Sequence, residues 1–170
     1  MWVADQWTDV EILDASKGEK LERWGDAFVV RPEVQAVWHT ARRHPKWHDP
    51  DGRYAHDQKG GKWEKKDLPE RIAVRYRNLC FHAGPMPSKH MGLFPEQAVN
   101  WDFISAKIQA AERPARNPLR VLNLFAYTGG ATLAAACAGA SVCHVDAARG
   151  SVALAKENAA LTGLSKTAIR

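Results

Sequence analysis

Residues Val121–Leu133 read VLNLFAYTGGATL, a short apolar run that meets two glycines and then an alanine-rich helical pattern. A turn between a strand and a helix offers a ligand its backbone N–H groups and the positive end of the helix. An acidic residue closing the following strand can accept hydrogen bonds from the hydroxyls of a ribose. Asp146 lies nineteen residues beyond Tyr127, close to the spacing of about 20 that this role asks for. Turn and acid together point to an adenosine-containing ligand.

The composition of the turn narrows the choice. A dinucleotide turn carries G-x-G-x-x-G so that a pyrophosphate can approach the backbone. Here Phe125 and Tyr127 put side chains into that space, which disfavours a nicotinamide-dependent oxidoreductase. A cofactor without phosphates tolerates such side chains, and S-adenosylmethionine (SAM) is one: a ribose for Asp146, an amino-acid tail for the turn. The alternative for Phe125 and Tyr127 is packing in the core, although a buried Tyr127 hydroxyl would want a partner.

The elements around this turn read strand, helix, strand, helix. LRVLNLFAY is a continuous apolar run, as in a strand buried on both faces. TGGATLAAACAGA is a helix of small residues closing at Gly139, and SVCHVDA is a second buried strand ending in Asp146. SVALAKENAALTG is a second helix, with Val152, Ala155, Ala159 and Thr162 on one stripe and Gly163 as its C-terminal cap. Upstream, Trp101, Ile104, Ile108 and Ala111 recur at helical spacing after Pro95, and ERPARNP ends that helix. The first eighty-odd residues look β-rich. VEIL and the two halves of LERWGDAFVV are strands, and the stretch from Thr40 to Glu70 has loop or long-hairpin composition. RIAVRYRNL alternates, with Ile72, Val74 and Tyr76 on one face and Arg71, Ala73, Arg75 and Arg77 on the other. The predicted class is α/β, with a β-rich region over 1–85 and the opening βαβα of a Rossmann-like domain over 86–170. Two parallel strands leave a sheet unfinished, so a truncated domain is expected.

The whole chain of 170 residues is 45% hydrophobic and 25% charged, a globular composition. No apolar run approaches the roughly 20 residues that cross a bilayer, and the N-terminus lacks a signal-peptide pattern. The cytoplasm is the expected location, with no membrane partner. Cys80, Cys137 and Cys143 form no C-x-x-C, and Cys137 and Cys143 are expected inside the α/β core. His39, His44, His48 and His56 lie near Asp49, Asp51 and Asp57, but their spacings match no metal-site pattern, and no metal is expected. The motifs of common hydrolases, P-loop NTPases and zincins are absent. The net charge of +5 is concentrated between His39 and Arg77, where eleven Lys/Arg face six Asp/Glu among Trp47, Tyr54, Trp63 and Tyr76. Basic residues among aromatics can hold a phosphate backbone and stack bases, so region 39–77 is a candidate RNA-binding surface. A non-catalytic nucleic-acid-binding module is the competing function.

The run from Val121 to Leu164 resembles the class I SAM-dependent methyltransferases, in the group related to ribosomal RNA large-subunit cytosine-C5 methyltransferases. There the first motif reads N-x-F-[AS]-Y-T-G-G, in place of the commoner acidic-x-G-x-G-x-G. GLFPEQAVNWDFI is similar to the segment preceding that motif, so the likeness runs from about Lys89 to Leu164. GEKLERWGDAFVVRPEVQAVW is similar to a bacterial subset of SAM-dependent methyltransferases. The resemblance implies methyl transfer to RNA. It sets Asn123, Phe125, Ala126, Tyr127, Thr128 and Gly129 against the methionine end of the cofactor, Asp146 on its ribose, and Gln97 near the pocket. Asn123 departs from the acidic residue usual at its position. The later motifs, including D-P-P-x-[KF], are missing, and none of the three cysteines sits in a nucleophile motif. The catalytic residues are accordingly expected beyond Arg170. Oligomeric state is left open.

Overall fold

The computed structural model describes residues 3–57, 60–111 and 117–164. The chain divides into two compact units, one of Trp7–Val74 and Ala83–Gly92, the other of Met1–Gln6, Arg75–His82 and Leu93–Arg170.

The first unit is built on a five-stranded sheet in the order β1 (Val10–Ser16), β2 (Glu19–Trp24), β3 (Ala27–Pro32), β4 (Gly52–Asp57) and β5 (Gly60–Lys65). β1, β2 and β3 form an antiparallel meander, β3 and β4 run parallel, and β4 and β5 pair antiparallel. Leu21, Val30 and Trp47 form a buried cluster with Leu13 and Phe28 packed against it. Trp47 comes from the stretch expected as loop, on a 3₁₀ turn over Pro45–Trp47 where His44 Nδ1 accepts the Lys46 N–H at 3.2 Å. Its indole N–H donates to Asp14 at 2.9 Å, and the Arg42 guanidinium lies 4.3 Å from its ring centroid. The same stretch supplies the β4–β5 hairpin. There Tyr54 and Trp63 are direct cross-strand partners, their rings edge to face at 5.5 Å. One aromatic pair across a register position offsets a composition of Gly, Lys and His that disfavours strands.

Glu22 and Arg31 form a buried ion pair in this unit. The guanidinium donates Nε to Oε2 at 2.6 Å and Nη2 to Oε1 at 2.7 Å, and Nη1 donates to the Lys89 carbonyl at 2.9 Å. The Trp24 indole and the Lys20 ammonium serve the same carboxylate. Burial pushes the Glu22 carboxyl up, but the charge and hydrogen bonds of Arg31 outweigh it and hold the group below its ordinary value.

In the second unit, β8 (Arg120–Leu124) and β9 (Ser141–Val145) pair parallel, with Asn123 opposite His144 and Leu124 opposite Val145. α2 (Gly130–Cys137) connects them and α3 (Arg149–Leu161) follows, the expected βαβα order. Gly139 and Gly163, with φ of 97° and 83°, let the last carbonyls of α2 and α3 be capped by the next two amides. α1 covers Ala98–Gln109, with Ala98 and Trp101 buried. Pro95 opens the 3₁₀ turn that leads into it. The helix stops short of Ala111, which is exposed. Most of ERPARNP, residues 112–116, lies outside the described residues.

Both strands were expected to be buried on two faces; β9 is buried on one, and β8 is half-buried on one. Val142 and His144 are buried, whereas Leu122 and Leu124 are 63% and 54% exposed and Cys143 is exposed. Cys143 therefore does not sit in the core, and Cys137 is half-buried, its thiol pushed up by that burial. A continuous apolar run carries a pattern for two covering layers, and the helices described here supply one.

α3 also satisfies strand β7 (Leu79–Ala83), which pairs with β6 (Ile72–Tyr76) in a two-stranded sheet. Ile72, Val74 and Tyr76 of β6 are buried while Arg71, Ala73, Arg75 and Arg77 are exposed, the predicted alternation. Asn158 Oδ1 accepts the His82 N–H at 2.8 Å. Thr162 Oγ1 accepts the Cys80 N–H at 3.1 Å and donates to the Cys80 carbonyl at 3.0 Å. Four helical residues advance about 6 Å and two strand residues about 6.6 Å, so one helix face can serve alternate residues of a strand edge.

Removing one member of a buried ion pair leaves the other charge uncompensated. Glu22→Ala is expected to lower unfolding free energy by about 3–5 kcal/mol, read from urea titration at pH 7. In the wild type the pair stabilises fully at neutral pH. That stabilisation is lost as pH falls below the ordinary carboxyl value of 4.5 and through the lower folded one. Glu22→Ala must therefore show a shallower acid loss than the wild type.

Candidate functional site

The turn between β8 and α2 forms one wall of a cavity of about 450 Å³ in the second unit. Within the turn, Phe125, Tyr127 and Gly129 have φ of 54°, 52° and 98°. All three lie in the left-handed region, which costs a residue with a Cβ roughly 1–2 kcal/mol. These are the three glycine positions of the commoner acidic-x-G-x-G-x-G pattern, with Asn123 at the acidic one. The chain keeps the backbone of a glycine turn and hangs aromatic side chains from it. Phe125 is 93% exposed, so its ring does not pack in a core. Tyr127 is half-buried, with its ring 5.4 Å from that of Phe94.

Asp146 holds the turn from beneath. Its Oδ2 accepts the Tyr127 N–H and its Oδ1 the Ala148 N–H, both at 2.8 Å. The bond from Ala148 first, then that from Tyr127, lowers the pKa of the carboxyl. The Ala126 N–H donates to the Val145 carbonyl at 3.0 Å, and Asn158 Nδ2 donates to the Thr128 carbonyl at 2.9 Å. Strand β9 and helix α3 thus grip the turn at three successive residues.

Gln97, Asn123, Phe125, Ala126, Tyr127 and Thr128 all line the cavity. Gly129 and Asp146 are not among the lining residues. Gly129 caps α2 from below, where a Cβ would lie 3.3 Å from Ala155 Cβ, and Asp146 reaches the site through the Tyr127 backbone. The remaining lining residues were not singled out from the sequence: Leu93, Phe94, Glu96, Trp101, Gly130 and Ala131. Gly130 is glycine because a Cβ there would meet the Trp101 ring at 2.5 Å, a contact visible only in the fold. The only ionisable group with a formal charge in this lining is the Glu96 carboxylate; no Lys or Arg is present.

Several of the cations of region 39–77 are already held in ion pairs. Arg42 and Arg53 pair with Glu19, Lys46 with Asp51, Lys65 with Glu70 and Lys66 with Asp49. Arg43 and Lys62 are exposed. Of its histidines, His44 caps the Trp47 turn and His56 packs edge-on against Tyr54, while the Asp57 side chain lies outside the described residues. Among the described residues no three potential ligands gather as a metal site, and no helix is long and apolar enough to cross a membrane.

The crystal structure of a SAM-dependent methyltransferase from Agrobacterium tumefaciens superposes on this fold with a TM-score of 0.87 and 39% identity, covering 96% of the chain. In fold and sequence the chain resembles that SAM-dependent methyltransferase. Two further methyltransferase structures share the fold at 18% identity. SMU.776 in complex with SAH has a TM-score of 0.67, and a SAM-dependent methyltransferase from Streptococcus mutans one of 0.62; each covers 94% of the chain. No family model and no curated protein matches. The chain spans 52% of the Agrobacterium methyltransferase and 44% of each of the other two. The expected class, a β-rich part followed by the opening of a Rossmann-like methyltransferase domain, is the class observed.

Relieving one left-handed aromatic tests the strain in this turn. Phe125→Gly removes a side chain that packs against almost nothing, and is expected to raise unfolding free energy by about 1 kcal/mol. Chemical denaturation reads the change, and a loss of stability would mean that the Phe125 backbone is not strained.

Proposed function

We propose that the cavity is the SAM site of a methyltransferase that acts on RNA, of which this chain carries the cofactor-binding half. The observation that carries the cofactor reading is the charge of the lining. A pyrophosphate wants cations, glycines and close backbone approach. This cavity offers a single carboxylate and aromatic rings on left-handed backbone. A sulfonium and an ammonium suit both, because a carboxylate and the faces of aromatic rings attract cations. The same lining argues against a nicotinamide cofactor.

In this reading Asn123 and residues 125–129 hold the amino-acid end, Gln97 flanks it, and a second lone pair of Asp146 is available to the ribose. When bound, the cofactor supplies a methyl on a sulfonium, open to in-line displacement. The chain's own task is to hold and align. Residues 1–85 would form a β-rich accessory region and 86–170 the start of the cofactor domain. Isothermal titration with S-adenosylhomocysteine tests the site. Wild type should bind, Asp146→Ala should weaken binding at least about tenfold by freeing the Tyr127 amide, and Gly129→Val should abolish it. Tight NADH binding with no response to S-adenosylhomocysteine would overturn the assignment.

RNA as methyl acceptor is supported by the sequence resemblance and by the exposed cations of region 39–77, Arg43 and Lys62 among them. Each phosphate contact contributes about 0.7–0.9 to the salt slope of log K. The double variant Arg43→Ala, Lys62→Ala is expected to lower that slope by roughly one to two, measured by anisotropy with a single-stranded RNA. An unchanged slope would remove these residues from the interface, and RNA binding indifferent to salt would remove the region.

A further inference from the structure

Beneath the cavity wall runs a short chain of polar groups, of which the cofactor reading uses only Asn123. Asn123 on β8 and His144 on β9 stand opposite one another in the sheet register. Thr132 of α2 lies between their side chains. Asn123 Nδ2 donates to Thr132 Oγ1 at 2.9 Å, and Thr132 Oγ1 lies 2.9 Å from His144 Nδ1. Thr132 and His144 have no exposed surface, while Asn123 is half-buried and reaches the cavity lining. His144 Nε2 is buried without a hydrogen-bond partner among the described residues. An imidazole edge left unpaired in a core is uncommon and asks for a reason.

The tautomer of this ring follows from counting protons. Burial disfavours the charged imidazole, against a smaller opposing pull from the Asp146 carboxylate, so the ring is neutral near pH 7. A threonine hydroxyl has one proton to give. With Asn123 donating to its lone pair, that proton goes to His144 Nδ1, which must then be bare, and the ring carries its hydrogen on Nε2. The Asn123 amide is thereby fixed with its carbonyl oxygen left for the cavity. If the ring carried its hydrogen on Nδ1, the Thr132 proton would be released from it and free to reverse the bond to Asn123. Thr132 would donate to the Asn123 oxygen, and the cavity would meet an NH₂ group, which repels a protonated amine.

We propose that His144 is a positioning residue, acting through Thr132, that fixes the polarity of Asn123 and so makes the cavity select a ligand bearing a protonated amine. The proposal rests on the cofactor reading for the identity of the ligand. It also explains why a neutral Asn can stand at a position usually acidic: a carboxylate has no hydrogen to start the relay, whereas an amide has one to give and an oxygen to spare.

Two measurements test it. In the intact chain labelled with ¹³C,¹⁵N-histidine, NMR should show His144 as the neutral Nε2–H tautomer, and the Nδ1–H tautomer would overturn the proposal. In Asn123→Asp the Thr132 proton must turn toward the carboxylate, so His144 should switch to a ring that donates from Nδ1. An unswitched ring would also overturn it. The second measurement compares S-adenosylhomocysteine with its analogue lacking the α-amino group. Wild type should prefer the amine by about tenfold. His144→Phe should bring that ratio toward one, and His144→Gln, whose carbonyl can accept from Thr132, should restore part of it. A ratio unmoved by His144→Phe defeats the positioning role. If wild type binds neither compound, the cofactor reading fails, and the tautomer measurements still decide whether the relay exists. They also decide the matter if His144→Phe does not fold.

Discussion

The Asp146 carboxylate is where the two strand-to-helix turns of the α/β unit meet. One oxygen holds the amide of Tyr127, in the middle of the first turn, and the other holds the amide of Ala148 at the mouth of the second. The first turn needs such a clamp. Two of its five residues are aromatic and left-handed, and each pays a backbone cost that a glycine would not. Ionised, the carboxylate makes stronger bonds to those amides than a neutral acceptor would. Its lowered pKa is the same fact seen from the proton's side.

Once the turn is held, the other features follow. Phe125 can stand in solvent because its backbone is fixed, and Tyr127 can pair with Phe94 across the cavity. Of the three left-handed positions only Gly129 is a glycine, and Ala155 of α3 packs directly below it. Gly130 is bare because the ring of Trp101 occupies the place of a side chain. From Ala126 to Gly130 each residue of the turn is held by a different neighbour, and no general requirement for flexibility is needed.

Much of this was legible in the sequence, and the failures have physical causes. The order of strands and helices from Arg120 onward followed from apolar runs, small-residue helices and two capping glycines. Six of the eight expected site residues line one cavity. What could not be read was the conformation of Phe125 and Tyr127, because nothing in an aromatic side chain announces a left-handed backbone. The β4–β5 hairpin was hidden by its Gly, Lys and His content, since its register is pinned by the Tyr54–Trp63 contact, visible only once the strands are paired. Trp47 likewise reads as an aromatic in a loop, yet its burial depends on Leu21, Val30 and Asp14 at distant positions. Apolar pattern predicted two-sided burial of β8 and β9, because pattern reports what a strand can bury and not what lies against it.

The attachment of α3 to β7 sets a rule for how this part of the chain can vary. Asn158 and Thr162 act on the strand as a neighbouring strand would, supplying partners at every second residue. The match to the strand rests on these two side chains, so substitution at the exposed positions of the helix leaves it intact. A change of length does not. One residue inserted between them would rotate the hydroxyl by about 100° and leave Cys80 unpaired, so divergence here should proceed by substitution while insertions gather in the loops.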